Sequence, residues 1–353
     1  MPLHHILKPL GILISISACS PYLYTQEISG FSTGVNDVVA SYQAGRQSID
    51  AAAGQRRDAR LAAGRTRLML LPGCDQTAPA GTPPKLPECA IVTFGASSVP
   101  PPNAVQKALA GAASAFDALK SYAAALVAVA SANDAAALNQ AAARVTTATG
   151  DMAAAVGRLA PRAAPADAFV GPSGELLGQG IEFYLDQRRL AALRSTVLAA
   201  DPAVNGLGQV VSAALLDIWQ QQLRQLGPAM RRAAEPFEVL SVNKLTIADY
   251  QDKLSMLETR VAAYTQARAV NPTATARALV AAHHRLAQAL MSNPGQDQTV
   301  LAAVRAFAAS AGKLKTAFES ASTSAAPPKA PAAATKRTAA GPGTAPLVAR
   351  RLP

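Results

Sequence analysis

Apolar residues along this chain recur at alternating steps of four and three. Phe31, Val35, Val38, Tyr42, Gly45 and Ile49 form the first series. Val105, Leu109, Ala112, Phe116, Leu119, Ala123 and Leu126 form a second, and Leu138, Ala142, Val145, Thr149, Met152, Val156 and Leu159 a third. Ile247, Tyr250, Leu254, Leu257, Val261 and Tyr264 form a later one, followed by Ala276, Leu279, His283, Leu286 and Leu290. Val300, Val304, Phe307, Ala311, Leu314 and Phe318 close the pattern. A step averaging about 3.5 residues puts each series on one face of a helix. Sustained strand alternation is not evident.

The residues between the series carry helix-end signals. Pro100, Pro101 and Pro102 precede the second series, and Asn133-Asp134 separates it from the third. Pro161, Pro165 and Pro172 punctuate a linker over residues 161–173, before a helix expected from about Gly174 to Ala200. Asp201-Pro202 reads as an N-cap followed by proline at the first helical position. A further helix then runs through Val210, Leu215, Ile218 and Leu223 toward Arg232, with Gly227-Pro228 breaking or kinking it. Thr246 caps the next helix, and Asn271-Pro272 and Asn293-Pro294-Gly295 mark the last turns.

The pattern therefore predicts an all-α fold. It is an elongated bundle of about seven or eight helices over residues 31–319, with heptad-like, alanine-rich packing. The linker at 161–173 either separates two helical subdomains or lies within one continuous bundle. No repeat of about 30 to 45 residues is visible, so a solenoid is not expected.

Composition sharpens this picture. Half of the 353 residues are hydrophobic but only 5% are aromatic, so alanine supplies much of the apolar count. Alanine buries little area and favours helix, which argues against an aromatic-rich β-sandwich or a large ligand pocket. No run approaches the roughly 20 apolar residues of a spanning helix, so a polytopic membrane protein is not expected.

Residues 320–353 differ from the rest. They are rich in Ala, Pro, Thr and Lys/Arg and contain no acidic residue. Such a segment buries too little apolar area to offset the entropy of ordering, so a disordered tail is expected. Lys329, Lys336, Arg337, Arg350 and Arg351 concentrate there five of the eleven net positive charges of the chain. These residues suit contact with anionic lipid head groups, lipopolysaccharide phosphates or acidic cell-wall polymers. A solvated tail without a partner is the plainer alternative.

The N-terminus has a short basic region at Lys8 and an apolar run through Leu10, Ile12, Leu13, Ile14 and Ile16. That run is too short to span a bilayer and suits a signal sequence. It leads directly into Ile16-Ser17-Ala18-Cys19. This tetrapeptide resembles the lipobox of bacterial lipoproteins: an aliphatic residue, two small residues and a cysteine. The resemblance covers only the first twenty or so residues. It implies a signal peptide over residues 1–18, removed in the mature protein, and a lipid anchor on Cys19. The acyl groups, palmitate among them, would hold that residue in the membrane, each buried methylene contributing about 0.8 kcal/mol. Residues 19–30 would form a tether. Ser20, in place of the aspartate that commonly retains such proteins in the inner membrane, implies an outer-membrane address facing the periplasm.

Export changes the reading of the other two cysteines. Cys74 and Cys89 lie in a Pro/Gly-rich segment, and an oxidising periplasm favours a disulfide between them. Closing that loop would contribute about 3 kcal/mol in the chain-entropy model. Two unrelated free thiols are the alternative; a zinc site is disfavoured because no histidine lies nearby.

Little catalytic chemistry is legible. His283 falls on an apolar series, while His284 is adjacent to it and points elsewhere. Metal-binding histidines on a helix sit three or four residues apart, so this pair reads as a buried bundle histidine and a neighbour, and no metal or other cofactor is expected. Ser173, in Gly171-Pro172-Ser173-Gly174-Glu175, reads as a helix cap rather than a nucleophile, since no strand precedes it. Gly178-Gln179-Gly180 alone is no dinucleotide fingerprint. Glu182, Asp186, Arg188 and Arg189 suit surface ion pairs, and Trp219 suits core packing.

The leading expectation is a lipid-anchored helical protein of the bacterial cell envelope with a structural or adaptor role and no enzymatic activity. Its partners would be the membrane, an envelope protein or an anionic wall polymer, and self-association through unpaired helix faces. Nucleic acid is disfavoured by export and by the lack of stacking aromatics in the tail. The alternative is a periplasmic binder of a small molecule or lipid between helices.

Overall fold

A computed structural model describes residues 24–70, 91–94, 96, 101–159, 183–238, 245–292 and 297–325. Residues 1–18, expected to form a signal peptide, Cys19, Cys74, Cys89, the linker at 161–173 and the five basic tail residues Lys329, Lys336, Arg337, Arg350 and Arg351 lie outside the described residues. Among those described, seven helices and two short strands follow in order. They are α1 (Thr25–Ala63), β1 (Leu68–Leu70), β2 (Ile91–Thr93), α2 (Ala104–Ser131), α3 (Ala135–Leu159), α4 (Phe183–Glu238), α5 (Ile247–Ala269), α6 (Pro272–Met291) and α7 (Asp297–Ala325). The fold is all-α, as the periodicity predicts, and each apolar series lies on one helix.

Short polar residues start α2, α3, α5 and α6 by satisfying backbone donors that have no intrahelical partner. The Asn103 side chain accepts from the Gln106 backbone N–H at 2.9 Å, and the Gln106 side-chain Oε1 accepts from the Asn103 backbone N–H at 3.0 Å, a reciprocal box that opens α2. Asp134 accepts from Ala137 N at 2.7 Å at the start of α3. Thr246 accepts from Asp249 N at 3.1 Å, as predicted, and Asn271 from Ala274 N at 3.1 Å ahead of Pro272.

Asp201-Pro202 departs from the expectation. No helix begins there: α4 runs unbroken for 56 residues, through Pro202, Pro228 and Pro236. At 1.5 Å per residue it measures about 84 Å. Each internal proline removes one N–H from the helical ladder, locally unfavourable by about 3 kcal/mol. Side-chain burial outweighs that loss. Leu193, Val197, Ala200, Val204, Leu207, Val211 and Ile218 continue the four-three rhythm across Pro202, and all are buried. A break would take one half of this face off the core.

The core is one cluster drawn from α1, α2, α3, α4, α6 and α7. Residues before and after the 161–173 linker both belong to it. Helices α1 and α7, from opposite ends of the chain, pack side by side. The Phe31 and Phe307 rings meet at 5.7 Å, and Lys315 reaches Asp37 at 3.1 Å. Tyr42 of α1 stacks on Phe116 of α2 with ring centroids 4.0 Å apart, and its hydroxyl donates to the Leu109 carbonyl. A smaller cluster of Leu226, Ala263, Ala267 and Ala321 seats α5 against α4 and α7.

Both bundle edges differ slightly from expectation. Helix α1 begins at Thr25, inside the expected tether, because Ile28 is already fully buried. Helix α7 continues to Ala325, past the expected start of the tail, because Ala321 is buried. Helix α2, at 28 residues, is long and apolar enough by length and composition to cross a membrane, which the sequence reading did not register. Here its Leu109, Phe116, Leu119, Tyr122 and Leu126 pack into the bundle core.

The short antiparallel pair β1–β2 is a second feature the pattern did not predict. Its register joins Leu68 to Thr93 and Leu70 to Ile91. Three residues per strand are too few to display alternation. The pairing closes the base of the segment that carries Cys74 and Cys89.

Candidate functional site

A cluster of hydrogen-bonded polar side chains lies where α2, α4 and α6 meet. His283 is fully buried on α6. Its Nδ1 lies 2.9 Å from Asp201 Oδ1, and its Nε2 lies 2.7 Å from the Tyr122 hydroxyl. His284 turns the other way but returns to the same carboxylate, with Nδ1 3.0 Å from Asp201 Oδ2. Its Nε2 sits 3.0 Å from the Gln288 amide nitrogen. The ring of Phe31 covers His283 from α1 at 5.9 Å.

Proton positions follow from the acceptors. Burial raises the Asp201 carboxyl, but hydrogen bonds from His283 and His284 outweigh it, and the net shift is downward. Asp201 is thus an ionised acceptor, so each histidine donates Nδ1–H to it. In the neutral ring, with Nδ1–H on Asp201, Nε2 accepts from the Tyr122 O–H in His283 and from the Gln288 N–H in His284. Burial first, then the charge of Asp201, holds the Tyr122 phenol well above its ordinary range, so it remains a donor.

This arrangement is saturated. Both nitrogens of each ring are occupied, and neither histidine offers a free base or metal ligand. Among the described residues no group of three or more His, Cys, Asp or Glu side chains is arranged to hold a metal ion. The chemistry available to the cluster is cohesion: one carboxylate ties α4 to two adjacent positions on α6, and Tyr122 ties α2 to the same point.

Beside it lies an open groove of about 930 Å³ between α4 and α6. Asp201, Gly208 and Ser212 line one wall, and Arg277, Val280 and His284 the other. The helices approach closely here, since a Cβ on Gly208 would fall 2.3 Å from Val280 Cγ2. Sequence reasoning missed the role of Asp201 by assigning it as an N-cap. The unbroken apolar rhythm through Pro202 was the available signal that it lies inside a helix. The link to His283, 82 residues away, left no local trace.

The remaining sequence-predicted residues are dispersed. Arg189 pairs with Asp186 at 3.0 Å as expected, but it also donates to the Ala132 carbonyl at 2.6 Å, closing the end of α2. Trp219 is half-buried against the core, and its Nε1–H donates to the Ala267 carbonyl of α5 at 2.6 Å. Ser173, Gly178, Gly180 and Glu182 lie outside the described residues. No protein-family model matches the chain, and neither a curated protein nor a solved structure does.

Proposed function

We propose that this protein is a lipid-anchored component of the bacterial cell envelope whose helical bundle serves as a spacer or docking adaptor. The observation that carries the reading is the lipobox-like Ile16-Ser17-Ala18-Cys19, placed directly ahead of the bundle. Only residues 20–24 separate Cys19 from the start of α1. That length of chain reaches about 18 Å at most. An anchor at Cys19 would hold the bundle close to the lipid surface, outer-membrane and periplasm-facing by the identity of Ser20. Long packed helices, with Asp201, His283 and Tyr122 hydrogen-bonded to one another in the core, suit a rigid body better than a reactive site. The basic tail would then sample anionic wall polymers or a protein partner, and exposed helix faces allow self-association.

Membrane fractionation tests this directly. The wild-type chain is expected in the outer-membrane fraction, with a mature mass that starts at Cys19 and carries acyl groups. Cys19→Ala is expected in the soluble fraction. An unlipidated wild-type chain cut at another residue would remove the anchor.

The groove between α4 and α6 favours a second reading, a periplasmic binder of a small molecule or lipid, because about 930 Å³ matches the usual size of ligand sites. Organic extraction of the purified protein followed by mass spectrometry would reveal a stoichiometric ligand. An empty extract favours the adaptor reading.

A further inference from the structure

A second groove, of about 610 Å³, opens where the exposed end of α1, the C-terminal half of α4 and α5 come together. Four arginines line it: Arg56 from α1, Arg224 and Arg232 from α4, and Arg260 from α5. Among the described residues no carboxylate lines it. Among the described residues, none of the four arginines makes an ion pair or a hydrogen bond. This contrasts with Arg46, Arg57 and Arg189, each of which has an acidic partner within 4 Å.

Four uncompensated positive charges around one opening repel each other, and an anion between them relieves that repulsion. Arginine is also the side chain whose planar fork matches phosphate and carboxylate oxygens. Arg224 and Arg232 stand about 12 Å apart along α4, since each residue rises 1.5 Å. Gln225 lies between them, and both of its amide atoms are buried without a hydrogen-bond partner. Buried amides are normally paired, so this one is available to a ligand. Apart from Gln55 of α1, the rest of the lining is apolar: alanines of α1 and α4, Pro228, and Met256 from α5. Methionine and alanine offer an adaptable surface for an alkyl chain.

We propose that this groove binds an amphipathic phosphate-type anion. The phosphate would sit among Arg56, Arg224, Arg232 and Arg260, and the apolar portion against Met256 and the alanines. The basic tail of the chain is repelled from such a site, and a nucleic acid would find no aromatic platform in the lining. This site does not depend on an anchor at Cys19.

The probe is hexyl phosphate, titrated calorimetrically into the full chain in a neutral detergent. Hexanol and inorganic phosphate are the two half-ligands. Hexyl phosphate is expected to bind one per chain, more tightly than either half. Arg224→Ala/Arg232→Ala is expected to weaken it by at least about tenfold, and Arg144→Ala, an exposed arginine on α3, to leave it unchanged. Far-UV circular dichroism of each variant checks that the bundle is intact. Equal binding of hexanol, or no loss in the double variant, would overturn the proposal.

Flotation with vesicles of phosphatidylcholine, with or without phosphatidylglycerol, separates the two sources of such a phosphate. It is run in the Cys19→Ala background, so an acyl anchor plays no part, and the tail is common to both chains compared. Flotation that requires phosphatidylglycerol and is lost on Arg224→Ala/Arg232→Ala supports a lipid head group. Hexyl phosphate binding without that difference supports a soluble phosphate ester. Absence of both overturns the site while leaving the anchor reading to its own fractionation test.

Discussion

Gly45→Ala is expected to destabilise the bundle, although alanine is the better helix former. By propensity alone the change would stabilise α1 by about 0.8–1.0 kcal/mol. Packing opposes it. A Cβ at position 45 would fall 2.2 Å from Ile218 Cγ2, 3.2 Å from its Cδ1 and 3.3 Å from its Cβ. Carbon atoms in contact prefer about 3.5–4.0 Å, so more than an ångström of space must be created. Ile218 is fully buried, and its branched Cβ allows one preferred rotamer in a helix. Overpacking of this kind costs about 1–3 kcal/mol, and a clash this deep belongs at the upper end. The net loss is about 2 kcal/mol. Gly54→Ala, on the same helix, meets nothing within 4 Å and should gain about 0.5–1 kcal/mol. Urea unfolding followed by far-UV circular dichroism measures both. Ile218→Ala removes the opposing methyl, so Gly45→Ala should cost far less in that background than in the wild type. Strict additivity of the two substitutions, or a Gly45→Ala chain as stable as Gly54→Ala, would refute the argument.

Three other outcomes are expected. Tyr122→Phe keeps the ring but leaves the buried Nε2 of His283 without its donor, and should lower stability by about 1–3 kcal/mol in the same unfolding assay. The depressed Asp201 carboxyl contributes stability that is fully present above its unfolded value of about 3.9 and is lost as pH falls through the lower folded value. The stability gap between wild type and Asp201→Asn should therefore hold in mildly acidic buffer and shrink below about pH 4; a gap that persists there would mean that the carboxylate facing Tyr122, His283 and His284 is not the titrating group. Protein recovered from the envelope should take up no thiol-alkylating reagent at Cys74 or Cys89 until it is reduced, and labelling of both without reduction would establish free thiols.

The helices were legible because a four-three rhythm is a local property of the chain. Phe31 to Ile49 on α1, Val105 to Leu126 on α2 and Val300 to Phe318 on α7 each declare a face without knowledge of what covers it. Capping is equally local, so Thr246 could be placed directly as a cap, and Asn271-Pro272 as a turn, where Asn271 also caps α6. Asp201-Pro202 shows the limit of such reading. An acidic residue followed by proline carries the same short-range signal at a helix start and inside a helix. Burial of Val197 and Ala200 on one side and Val204 and Leu207 on the other decides between them.

By itself, then, the sequence determined the all-α class, most helix positions, the concentration of basic charge after residue 320 and the lipobox-like start. Only the tertiary structure decided that α1 pairs with α7, that Asp201 gathers His283 and His284 while Tyr122 closes on His283, and that Arg56, Arg224, Arg232 and Arg260 surround one groove. The physical reason is range. Helix periodicity and capping act over three or four residues, whereas these groups are joined by the packing of distant helices, and alanine-rich faces place little constraint on which partner each one meets.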